Sequence, residues 1–278
     1  MARAKRHYIP GQIWHLTHRC HKREFLLKFS KDRRRWLQWL YEVRKRYNLT
    51  ILNYTVTSNH IHLLVMDDGK RDVIPKSIQL VAGRTGQEYN QRKKHKGAFW
   101  EDRYHATAVE KGEHLIRCLI YIDLNMVRAG VIAHPSQWPF SGYNEIQDPK
   151  RKNVLIHYEK LRELLAIDSC DLLKEYHKGW VEEYLDNGSN SRDDKWTKSI
   201  AVGSKGFIEE VKFSLGAMAK GRKNLKAAED YRKNLKAAED YQLREPSASY
   251  STHFDIKNED IGANNTYYWD INDEYSIG

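Results

Sequence analysis

Between residues 12 and 132 the apolar residues switch repeatedly between the two-residue period of a strand and the helical period of about 3.6. The order of those switches leaves few folds open. "QIWHLTHRC" sets Ile13, His15 and Thr17 against Trp14, Leu16 and His18, which predicts a strand after a turn at Pro10-Gly11. In "SKDRRRWLQWLYEVRKRY", Ser30 is a candidate N-cap, and Trp36, Leu37, Leu40, Tyr41 and Val43 trace a helical face. "TILNYTVTS" and "HIHLLVMDD" are strand-rich runs that meet at Ser58-Asn59 as a hairpin. A second helix is expected over "IPKSIQLVAGRTGQEYNQRKK", starting near Pro75, and a strand over "AFWEDRYHATAVE". "GEHLIRCLIYIDLNMVRAGVI" predicts a third helix, closed by Gly130 as the C′ glycine.

The order β-α-β-β-α-β-α predicts an α+β fold. Its first six elements match the ferredoxin-like (RRM-like) arrangement, an antiparallel sheet with helices on one face. The seventh element, a helix, can then lie across the sheet and deliver side chains to it. This front region is expected to span residues 1–150. Residues 154–186 and 206–219 read as helical, around a polar "DNGSNSRDD" linker, so 151–245 is expected to be a mostly helical C-terminal extension. Within it "RKNLKAAEDY" occurs twice without a change, at 222–231 and 232–241. Two ten-residue copies are too few and too small for a solenoid, and they read as a duplication that lengthens an exposed helix. Residues 246–278, rich in Ser, Asn, Asp and Tyr, are expected to be an extended or poorly ordered tail.

Charge divides the chain. Residues 1–150 carry 27 Lys and Arg against 14 Asp and Glu, and residues 151–278 carry 20 against 23. A basic front half points to a polyanion such as nucleic acid, whose neutralised phosphates release counterions. Cys20, Cys118 and Cys170 are an odd, scattered set, which argues against a disulfide framework and a zinc ribbon. No apolar run approaches the ~18 residues of a membrane span. "MARAKRHYIPGQ" has no apolar core of a secretory signal, so a cytoplasmic protein without membrane contact is expected.

"HIH" places His60 and His62 on one face of a strand, about 6–7 Å apart, with Ile61 directed into the core. Two imidazoles suit a divalent metal but do not complete a site. In "YIDLN", Tyr121 and Asn125 stand four residues apart on a helix and share a face, about 6 Å from each other. Asn125 Oδ1 is a candidate third metal ligand and Tyr121 a candidate nucleophile toward a phosphodiester. The bland alternative makes Tyr121 a packed aromatic and Asn125 a polar residue near a helix end.

"YIPGQIWHLTHRC", "SNHIHLLV", "GAFWEDRYHATAVE", "YIDLNMVRAG" and "SQWPFSGY", in that order, resemble the HUH (His-hydrophobe-His) single-tyrosine transposases, specifically the REP-associated tyrosine transposases of bacteria. The resemblance covers most of residues 8–143, and "AVGSKGFIEEVK" is similar to the C-terminal extension of many members. It implies His60, His62 and Asn125 as ligands of Mg²⁺ or Mn²⁺, and Tyr121 as the nucleophile. It further implies single-stranded or hairpin DNA of repeated extragenic palindromes as partner, a 5′-phosphotyrosine intermediate, and action as a monomer or homodimer. Thr57-Ser58 stands where the family commonly has Met-Pro, and Met126 where it usually has Pro after the asparagine. Neither departure removes a proposed ligand.

Candidate DNA contacts are Lys5 and Arg6 on a basic arm, Arg33, Arg34, Arg44 and Arg46 on the first helix, and Arg103. Arg128 reads as a cap at a helix C-terminus, with DNA contact as the alternative. Trp14, Trp100, Tyr104 and Trp138 could stack on bases, but core packing is the better reading of each. His15/Thr17 and His105/Thr107 also fit the pattern of metal-independent 2H phosphoesterases, a reading that leaves Tyr121 and the His60/His62 pair unexplained. His15 has a further possible role in supporting the metal site from the neighbouring strand. A third alternative is a transposase-derived protein that binds DNA without cutting it.

Overall fold

The computed structural model describes residues 9–67, 69–149, 152–187 and 193–216. Its sheet is built from β1 (Ile13–Arg19), β2 (Thr50–Val56), β3 (His60–Met66), β4 (His105–Val109) and β5 (Ala201–Val202), in the order β2-β3-β1-β4-β5. The first four strands are antiparallel and follow the ferredoxin-like order expected of the sequence. β5 pairs parallel to β4 and adds a fifth strand to the four antiparallel ones. Two residues, Ala201 and Val202, are too few to show any period.

Residues that stand opposite each other across an antiparallel pair project to the same face. His15 faces Leu64 and Thr107, Thr17 faces His62 and His105, and Asn53 and Thr55 face Leu64 and His62. That face is crossed by α3 (Glu113–Asp123): Asn53 Nδ2 donates to Asp123 Oδ1 at 3.0 Å, and Thr55 Oγ1 donates to the Ile122 carbonyl at 3.1 Å. On the opposite face, Trp14, Leu16, Ile61, Leu63 and Val65 are all buried. There α1 (Ser30–Tyr47) contributes Trp36, Leu37, Leu40 and Val43 to the core, and α2 (Val73–Lys93) contributes Ile74, Ile78 and Val81. Removing such side chains from water is the main stabilising term of this layer.

The third helix is shorter than its apolar pattern predicts. It leaves helical geometry at Leu124 (φ −80°, ψ 7°) and resumes as α4 (Asn125–Arg128). Gly130 then adopts φ +68°, and the N–H groups of Gly130 and Val131 donate to the carbonyls of Val127 and Met126. That is the C′ glycine expected there.

α5 (Gly142–Gln147), α6 (Tyr158–Leu165) and α7 (Cys170–Asp186) follow, then α8 (Lys195–Lys198) and α9 (Lys205–Leu215). The expected helix over 154–186 is interrupted where Ala166 takes a left-handed conformation (φ 54°). α7 is tied to α3 by a buried pair, His177 Nε2 donating to Asp123 Oδ2 at 2.8 Å. Among the described residues no helix is long and apolar enough to cross a membrane. The duplicated stretch 222–241 and the expected tail 246–278 lie outside the described residues.

Candidate active site

β3 places the His60 and His62 rings with centroids 5.0 Å apart on the polar face, while Ile61 is buried on the other. α3 brings the Tyr121 ring to 5.8 Å from His62. Asn125, just past the step at Leu124, puts Nδ2 3.0 Å from His62 Nε2. The strand pair and the helix pair singled out from the sequence therefore meet in one place.

Tyr121 is held from several sides. His15 lies 6.0 Å and Trp196 5.8 Å away, ring centre to ring centre. The Arg128 guanidinium carbon sits 4.2 Å from the centre of the phenol ring, and Arg128 Nη2 donates to the Tyr121 carbonyl. Arg128 thus caps the last turn of α3 and also presents a cation to the candidate nucleophile, an attractive geometry for a ring face.

His15 is fully buried, with Nδ1 2.9 Å from the Trp196 carbonyl and Nε2 2.8 Å from His62 Nδ1. Burial drives its pKa from the ordinary histidine value down to about 3, because an imidazolium there has lost its water. His60 Nδ1 meets Asn59 Oδ1 at 2.6 Å and Thr57 Oγ1 at 2.9 Å. Thr57 thus helps to hold a candidate ligand.

Among the described residues no three His, Cys, Asp or Glu side chains stand together as a metal site. The candidate set is two imidazoles and an amide, and its donor chemistry fits a divalent ion. Asn59 Oδ1 only accepts, so His60 Nδ1 carries the ring hydrogen and Nε2 is the nitrogen it offers to a metal. His62 Nε2 and Asn125 Oδ1 would complete a mixed nitrogen and oxygen set of the kind Mn²⁺ and Mg²⁺ accept.

The other expected residues are scattered. Lys5 and Arg6 lie outside the described residues. Arg33 is a correction: it is buried, donates to the Leu27 and Lys28 carbonyls, and lies over the rings of Trp138 and Phe140. It anchors the start of α1 and has no surface to offer a phosphate. Arg34 and Arg46 are exposed and Arg44 half-buried, but α1 packs on the side of the sheet away from Tyr121. Arg103 is exposed in the segment before β4. Trp14, Tyr104 and Trp138 are buried, and Trp100 stacks on His18 with centroids 4.1 Å apart.

The residues of the 2H reading are occupied. Thr107 Oγ1 donates to the Ser199 carbonyl at 2.8 Å, His105 Nε2 meets the same carbonyl at 3.1 Å, and His15 and Thr107 are fully buried. What sequence reasoning missed is the segment that covers this face, α8 to β5, with Trp196 against Tyr121. A backbone carbonyl such as that of Trp196 has no residue-type signature, so nothing in the sequence could have marked it.

Residues 10–125 match the family model of IS200-like transposases. Among curated proteins there is no match. A solved structure of a REP-associated tyrosine transposase bound to a REP hairpin aligns at 21% identity with a TM-score of 0.42, covering 52% of this chain and 84% of that one. A proposed transposase from Deinococcus radiodurans R1 aligns at 18% identity with a TM-score of 0.32, covering 42% of this chain and 92% of that one. The span matched by the family model holds β1 to β4, α1 to α3 and all four residues gathered on the polar face, and over that span the chain is similar to the IS200-like transposases.

Proposed function

We propose that this protein is a transposase that cuts and rejoins single-stranded DNA at palindromic-repeat hairpins through Tyr121. The observation that carries the reading is the convergence of Tyr121, His60, His62 and Asn125 on one face of the sheet. Residues 1–150 would form the catalytic domain, and 151–245 a mostly helical C-terminal extension. The hairpin substrate rests on the five ordered motifs and on the basic front half of the chain.

Tyr121 Oη attacks the scissile phosphorus and forms a P–O bond while the bond to the 3′ oxygen breaks. The phenol loses its proton to water, and the departing 3′ oxygen takes one up. The products are a 5′-phosphotyrosine and a free 3′-OH, and attack by a 3′-OH on the phosphotyrosine reverses the step. Arg128, over the phenol ring, favours the oxygen's developing negative charge. His60 Nε2, His62 Nε2 and Asn125 Oδ1 would hold Mg²⁺ or Mn²⁺, which when bound withdraws charge from the non-bridging oxygens. A single strand suits such a site, since the scissile phosphate must reach a tyrosine that is only 7% exposed.

The test is incubation of the full chain with labelled single-stranded hairpin DNA and Mn²⁺ or Mg²⁺, resolved on a denaturing gel. A covalent protein–DNA band is expected, falling to background in Tyr121→Phe and with a chelator. Cleavage that survives Tyr121→Phe overturns the proposal. Tight hairpin binding without any cleavage favours the non-catalytic alternative.

A further inference from the structure

Four groups on the polar face form one chain of hydrogen bonds: the Trp196 carbonyl, His15, His62 and Asn125. The chain has a direction. A carbonyl oxygen carries no hydrogen, so His15 Nδ1, 2.9 Å away, must donate to it. A neutral imidazole has one ring hydrogen, so His15 Nε2 is then an acceptor. The 2.8 Å contact with His62 Nδ1 therefore requires the hydrogen of His62 to sit on Nδ1. The far end agrees in the metal-free arrangement. Asn125 Nδ2 only donates, and at 3.0 Å from His62 Nε2 it needs a bare lone pair there; ligation would require the amide to turn Oδ1 toward the site.

From this agreement we propose that His15, itself oriented by the Trp196 carbonyl, is a positioning residue that fixes His62 as its Nδ1–H tautomer and presents Nε2 to the metal. The inference rests on the metal-dependent reading given above. Free imidazole side chains in water favour the opposite tautomer, with the hydrogen on Nε2. A lone histidine at position 62 would thus spend most of its time with the ligating nitrogen blocked. The relay reverses that preference and also sets the plane of the ring: His15 and His62 lie within 12° of coplanar orientation. Hydrogen-bond partners behind a metal-binding histidine commonly act in this way.

The relay extends the site to the C-terminal part of the chain. The Trp196 carbonyl is 181 residues from His15. Residues 196–202 are in turn fixed by the pairing of β5 with β4. A segment with no metal ligand of its own thereby controls which nitrogen of His62 is available.

The test uses the full chain with ¹⁵N-labelled histidine. In the metal-free protein, ring-nitrogen NMR should find His62 protonated at Nδ1. Mn²⁺ titration by calorimetry should show binding that weakens ~10–100-fold in His15→Leu. His15→Gln keeps an oxygen acceptor where Nε2 stands, and it should restore both the tautomer and much of the affinity. Wild-type His62 protonated at Nε2 overturns the proposal whether or not any variant folds. So does a folded His15→Leu protein with undiminished Mn²⁺ affinity. If wild type has the Nδ1–H tautomer but binds no Mn²⁺, the underlying metal reading is what fails, and the relay's role falls with it.

Discussion

Trp14, Leu16, Ile61, Leu63 and Val65 fill one face of the sheet beneath α1 and α2, whereas His15, Asn53, Thr55, His62 and Thr107 occupy the other beneath α3 and residues 195–202. Burial does not distinguish them, since Leu63 and Thr55 are both fully buried. What differs is direction. Apolar burial on the first face is roughly proportional to area and asks only for volume and shape. Each polar group on the second face needs a partner at a set distance and angle, because an unmade buried hydrogen bond carries the full desolvation cost. A layer of that kind defines positions well, and it is the layer that holds the candidate nucleophile and ligands.

The largest effect on stability should come from the polar side. Asp123 accepts from Asn53 Nδ2 at 3.0 Å and from His177 Nε2 at 2.8 Å, and with His177 it is wholly buried. The second nitrogen of His177 meets Gln147 Nε2 at 2.9 Å, so the imidazole has no other arrangement that satisfies both neighbours. Asp123→Ala strands two donors and should cost ~3–5 kcal/mol. The measurement is the urea midpoint at an unchanged m-value, which separates lost stability from a changed denatured state. A loss below ~1 kcal/mol, the net worth of one ordinary hydrogen bond, would mean the polar layer is not held as described.

On the apolar face the pair Leu63→Ala and Leu63→Met separates volume from direction. Leu63→Ala opens a cavity in the core and should cost ~2–5 kcal/mol. Leu63→Met conserves volume and should cost less than ~1.5 kcal/mol. Denaturation midpoints of the two variants decide the matter. Equal losses would show that this face, too, depends on exact side-chain shape, and the contrast with the polar face would collapse.

The same contrast accounts for what could be read from the sequence. Periodicity located β1 to β4 and α1 to α3 because each buries one face, and alternation alone put His60 and His62 together on theirs. Tyr121 and Asn125 were visible as a helical pair, although the break at Leu124 between them was not. What stayed hidden depends on partners distant in sequence. Arg33 looks like one more cation in a basic helix, and only the rings of Trp138 and Phe140 make it a buried strut. β5 is two residues long and is a strand only because Ile200 and Val202 present their carbonyls to β4 and its flank. The Trp196 carbonyl is the extreme case, since any residue at that position would offer the same atom.

The smallest expected effect lies outside both faces, where α1 and α2 meet in solvent. Arg35 holds Glu88 with two bonds, Nε to Oε2 at 2.6 Å and Nη2 to Oε1 at 2.8 Å, and Trp39 Nε1 adds a third at 3.2 Å. Partial burial pushes the Glu88 carboxyl up. The bonds from Arg35 and Trp39, with the charges of Arg35 and Arg84, outweigh it and leave the pKa below the ordinary glutamate value. A carboxylate depressed in the folded state stabilises above its unfolded pKa, and that contribution is lost as pH falls through the folded value. Glu88 is 33% exposed and its partner 50%, so water and salt screen the pair. Glu88→Gln should therefore cost no more than ~1 kcal/mol at pH 7, and less in high salt. The gap between wild type and Glu88→Gln in urea midpoint should close as pH drops below the wild-type carboxyl's pKa. A gap that persists at low pH would assign the effect to packing instead of charge, and one as large as that of Asp123→Ala would erase the distinction between buried and exposed polar pairs.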